Sequence, residues 1–77
     1  MDELLVQSNL YPITYRTSEV VRVVNDKQFK LYVKYGAFPV DIYPSIDVKT
    51  EKEITVYVFR RADTAELYKQ WLEHSLN

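Results

Sequence analysis

His74 is the only histidine in the chain, and there is no cysteine. A histidine acts as a general base only with a nucleophile or carboxylate held against it. Its neighbour Glu73 points elsewhere on the same helix, so His74 reads as a cation beside a helix C-terminus, where the dipole favours it. Without cysteine, disulfides and thiolate zinc sites are excluded. Asp41, Asp47, Glu51 and Glu53 could offer oxygens to a hard cation, which needs several of them converging on one point. Asp41 and Asp47 alternate with apolar residues and read as the solvent side of a strand. The single glycine builds no phosphate-binding loop. These residue types predict no catalytic residue, no metal and no cofactor, in a protein that is not an enzyme.

Two further sets could bind rather than react. Lys27, Lys30 and Lys34 fall on one helical stripe and, with Arg60 and Arg61, could meet a phosphate backbone. The ordinary meaning of such a stripe is a solvated face. Tyr57 and Phe59 stand two apart on one strand, as base-stacking pairs do in RNA-recognition domains, with Arg22 as a nearby cationic plane. The glycine of the basic-Gly-aromatic signature is missing between Ile54 and Arg61.

The elements that must carry these residues are legible in the pattern. Residues 53–60 contain Ile-Thr-Val-Tyr-Val-Phe, a β-branched and aromatic strand. Val40 to Val48 alternates apolar and polar with period two, and Pro44 places it at a sheet edge or bulge. The two runs form an antiparallel hairpin around the charged loop 49–53. Val20 to Val24 predicts a third strand. Asn25-x-x-Gln28 and Asp63-x-x-Glu66 read as capping boxes opening helices over 25–36 and 63–76. Gly36 sits where a helix end wants a positive φ. Residues 1–17 form an N-terminal segment in which Leu4–Val6 or Ile13–Tyr15 could add a strand. The expected fold is a single small α+β domain of order (β)βαββα. Its antiparallel sheet carries two helices on one face, related to the split-βαβ, ferredoxin-like arrangement.

Ten basic and eleven acidic residues leave a net charge of −1, against general polyanion binding. No apolar run reaches membrane-spanning length, and the start Met1-Asp2-Glu3 is acidic where a signal peptide is basic. The chain therefore reads as cytoplasmic, without a membrane partner.

Asn25-x-x-Gln28, Tyr32, Gly36, Pro39 with Asp41-Ile42-Tyr43, Val56-x-Val58-Phe59, Thr64, Leu67-Tyr68 and Trp71-Leu72 follow a shared pattern. Over about residues 20 to 76 the chain resembles a group of short proteins from Gram-positive bacteria and their phages with no established activity. The resemblance implies a mobile-element origin and no catalytic residue.

Aromatics make up 14% of the chain; they supply the packing a small domain without disulfides needs, and so high a load in a short chain can also mark an interface. With the helices expected on the Ile54, Val56 and Val58 face, Tyr43, Tyr57, Phe59 and Arg22 would form the candidate interaction face opposite. Either that face is covered by Leu4, Leu5, Leu10 and Tyr11, or it binds a protein. The partner would be a host or defence protein, or a second copy in a homodimer. Single-stranded nucleic acid on the same face is the second reading.

Overall fold

The computed structural model describes residues 4–76. The acidic start Met1-Asp2-Glu3 lies outside them. The order is β1 (Leu5–Gln7), β2 (Thr14–Arg16), β3 (Val20–Val23), α1 (Asp26–Lys34), β4 (Asp41–Ile46), β5 (Glu53–Arg60) and α2 (Arg61–Leu72), with a 3-10 turn at Thr17–Glu19. β3, β5 and β4 form one antiparallel sheet in that order. β3 and β4 are therefore parallel, with β5 inserted between them, which is the split βαβ unit of a small α+β domain. Pro44 lies on β4, an edge strand, as its missing N–H requires.

The N-terminal segment does not extend this sheet. Both of its candidate strands form, and they pair with each other, Val6 opposite Tyr15. The local pairing closes through Ser8, whose hydroxyl oxygen accepts the Leu10 and Tyr11 N–H groups while its own N–H meets the Ile13 carbonyl.

Helix α1 begins as its sequence dictates. The Asn25 side-chain oxygen accepts the Gln28 N–H at 3.0 Å. The return arm of the box is not made, because the Gln28 amide donates to the Tyr32 hydroxyl at 2.9 Å. Gly36, at φ +91°, ends the helix. The Ala37 N–H reaches the Tyr32 carbonyl and the Gly36 N–H the Val33 carbonyl, the two bonds of a Schellman cap. Open space surrounds the position of a Cβ on residue 36. The Gly36→Ala cost is therefore conformational alone, about 1–2 kcal/mol of lost stability, readable as a lower urea midpoint.

Helix α2 departs from expectation. It starts at Arg61, directly after β5, and Arg60 at its N-cap makes no side-chain capping bond. Thr64, 1% exposed, donates its hydroxyl to the Arg60 carbonyl at 3.3 Å and draws residues 60–63 into the first turn. Asp63 thus stands inside the helix, and its box is not used. Asn25→Ala should cost about 0.5–2 kcal/mol through the lost cap. Asp63→Ala should cost only the dipole term, about 0.3–1 kcal/mol. Thermal melts of the two variants side by side would reveal that order. The helix stops at Leu72 rather than 76. His74, at φ +57°, occupies the left-handed position of a second Schellman cap, with Ser75 N–H on the Gln70 carbonyl. Leu76, beyond the helix, folds back into the core.

β5 builds two hydrophobic clusters, one on each face of the sheet. Val56 and Val58 pack with Val20, Val40 and Tyr15 beneath the β1–β2 hairpin. Phe59 packs with Val23, Tyr32, Ala37 and Leu76, flanked by Phe29 and Tyr57, beneath the helices. Both helices lie on one face, as expected, but on the aromatic face rather than the aliphatic one. Every residue of the Ile-Thr-Val-Tyr-Val-Phe run except Thr55 has a buried or half-buried side chain. With apolar residues on both sides, alternation alone cannot say which side the helices take.

Asp41 is also reversed. Its register opposite Val58 turns it toward the hairpin, and it is 1% exposed. The Tyr15 hydroxyl donates to Oδ2 at 2.6 Å, and Oδ1 accepts the Asn9 N–H at 2.8 Å, the Asn9 amide and the Ile42 N–H. Burial pushes the carboxyl up, but the four donors outweigh it and hold its pKa below the ordinary value. Burial, and then the Asp41 carboxylate, push the Tyr15 phenol upward. With Ser8 donating its hydroxyl to the Val40 carbonyl, this network fastens the hairpin to the start of β4.

Candidate functional site

The candidate aromatic face is not an open surface. Phe59 is 0% exposed, with the Tyr32 ring edge-on at 5.2 Å between centroids. Tyr57 is half-buried, stacked on Phe29 of α1 at 3.8 Å, with its hydroxyl donating to Asp26 at 3.3 Å. Burial, then the Asp26 charge, raise its pKa. Tyr43 pairs with Val56 and packs on the hairpin side. Arg22 pairs with Val58 and is exposed. The four residues are thus split between the two faces, and the helices exclude a stacking platform. Leu4, Leu5, Leu10 and Tyr11 are exposed and cover neither.

The cationic residues fare differently. Lys27, Lys30 and Lys34 are exposed on α1, the last with its ammonium 5.6 Å from the Tyr35 ring centroid. Arg60 and Arg61 stand at the β5–α2 junction. Of the five, only Arg61 lines the groove described below. The acidic candidates do not converge: Asp47 holds the β4–β5 turn by accepting the Lys49 N–H at 2.8 Å. Among the described residues, no group of three metal-ligating side chains comes together. No helix among them is long and apolar enough to cross a membrane.

The structure instead presents a groove of about 700 Å³ along the outer edge of β3. Its floor is Val20–Val23, and its walls are Gln28 and Tyr32 of α1 with Thr64, Ala65 and Tyr68 of α2. The register decides which backbone groups face it. The Val58 carbonyl accepts the Val40 N–H at 2.7 Å, so the backbone groups of Val58 point toward β4. Its β3 partner Arg22 is therefore a non-hydrogen-bonded neighbour, and the Arg22 N–H and C=O point outward, away from β5. Val20 points the same way, and its carbonyl accepts Arg61 Nη2 at 3.1 Å.

The other edge of the sheet is closed to addition. Ile42 faces outward on β4, but its N–H is held by Asp41 and its carbonyl by the Asn9 amide at 3.5 Å. Pro44, the next outward residue, has no N–H. Such devices keep a strand edge from pairing; β3 has no proline, and although Arg61 holds its Val20 carbonyl, the Arg22 N–H and C=O still point outward.

Residue-by-residue reading missed Gln28, Tyr32, Thr64, Ala65 and Tyr68 as groove walls. The signal that could have found them was topological. In a βαββαβ arrangement a last strand follows the second helix. A strand parallel to β5 must lie beyond β3 or β4, and α2 stands over the β3 side. Comparison with protein-family models, curated proteins and solved structures finds no match to this chain.

Proposed function

We propose that this domain is a non-enzymatic protein-interaction module that engages its partner along the outer edge of β3. The observation that carries this reading is the groove itself. An exposed strand edge supplies backbone donors and acceptors, and two helices wall it on one side. Edge strands of this kind are templates for another chain. In the mobile-element setting that the resemblance implies, the partner is a host or defence protein that the domain regulates or inhibits.

A photo-crosslinking residue at Tyr68, 51% exposed and lining the groove, tests this in host lysate. The control is the same residue at Val48, 90% exposed on the β4–β5 turn. The expected result is a discrete protein adduct from position 68 and none from 48. Equal labelling from both positions, or none from either, would count against the reading.

A further inference from the structure

We infer that the groove takes an extended segment of another protein, added antiparallel to β3, with apolar side chains against the helices and a carboxylate opposite Arg22. This rests on the interaction-module reading and gives its partner a chemistry. The floor sets the alternation. Val21 and Val23 lie on the helix face with Phe59 and Tyr57, beside the apolar wall of Ala65 and Tyr68. Arg22 and Val20 lie on the other face. An added strand must match these faces residue for residue, because side chains directly opposite one another share a side of the sheet.

Charge then selects the occupant. The chain is net acidic, with eleven acidic against ten basic residues. Yet the charged residues lining this groove are Arg22 and Arg61, and no aspartate or glutamate lines it. A second copy paired through its own β3 would bring Val20 or Arg22 opposite Arg22 and supply no carboxylate. An acidic strand from a different protein supplies one, while its backbone pairs with the outward N–H and C=O of Arg22.

The probe is an end-capped peptide of alternating valine and glutamate, titrated into the full chain and followed by amide chemical shifts. A valine–lysine peptide is the control. The acidic peptide should shift Val20–Val23 and the α1 and α2 residues of the groove, and the basic peptide should not. Arg22→Glu should weaken the acidic peptide about tenfold and favour the basic one. Arg22→Pro removes the outward N–H without touching the bonds to β5, so the fold is kept and binding of the acidic peptide is lost, with none gained by the basic one. Undiminished binding by Arg22→Pro, shifts centred on another surface, or no binding at millimolar peptide would overturn the inference. A lysate adduct formed at Tyr68 equally well in Arg22→Pro would overturn it too, while leaving the interaction-module reading in place.

Discussion

Asp41→Ala should be among the most damaging single substitutions in the protein, lowering stability by about 3–5 kcal/mol. The loss exceeds that of one hydrogen bond because the carboxylate gathers four donors from three residues. Without it the Tyr15 hydroxyl remains buried with no acceptor, and the Asn9 and Ile42 N–H groups lose theirs. A chain of this length has about 4–11 kcal/mol in total, so the substitution removes at least about a quarter of its stability. Asp41→Asn keeps the shape and one acceptor but turns an amide toward the donors, and should lie between the two. The same network sets an acid dependence. The folded protein binds a proton at Asp41 less readily than the unfolded chain, whose carboxyl titrates near about 3.9. Acid therefore favours unfolding. The contribution is complete above that value and disappears as pH falls through it and through the lower folded pKa. Urea midpoints at neutral pH and near pH 3 should fall more steeply for the wild type than for Asp41→Asn. Parallel slopes would show that Asp41 does not carry the acid sensitivity.

Phe59→Ala should cost a similar amount, about 3–5 kcal/mol, from lost transfer energy and the cavity left behind. Its ring meets Tyr32 edge-on and Phe29 at a tilt, so the two helix-borne rings lose their shared contact. Tyr57, one register step away, is half-buried and keeps its hydroxyl at the surface. Tyr57→Ala forfeits the Phe29 stack, about 0.5–1.5 kcal/mol beyond the area it buries. Both losses fall on folding. Guanidinium unfolding followed by circular dichroism would separate them, and a Phe59→Ala midpoint close to wild type would contradict its place in the core.

The strands and α1 could be read from sequence because local chemistry specified them. Residues 53–60 are a strand in full, and Asn25 and Gly36 bound α1 where cap and left-handed position required. The start of α2 was misread because Asp63-x-x-Glu66 has the residues of a box, while the helix obeys tertiary demands on Phe59 and Thr64. Asp41 looked solvent-facing because its partners, Tyr15 and Asn9, lie 26 and 32 residues away. No spacing rule reaches that far. The aromatic face was misassigned for a related reason: its cover comes from α1 and α2, and the aliphatic face's cover from β1 and β2. The groove was not visible in any residue pattern, since an unpaired edge follows from strand order.

β5 has a consequence for how the chain is made. It is the central strand on which both clusters are assembled, and it is also the last strand in sequence among the described residues. During synthesis β3 and β4 leave the ribosome before the strand that must lie between them. Neither cluster can close until residue 60 is available. The valines of β3 and the aromatics of α1 wait without their cover, in the interval when unpaired edges and apolar surface invite aggregation. The domain is therefore expected to acquire its structure in one late step, and a nascent chain stalled before β5 should be protease-sensitive throughout.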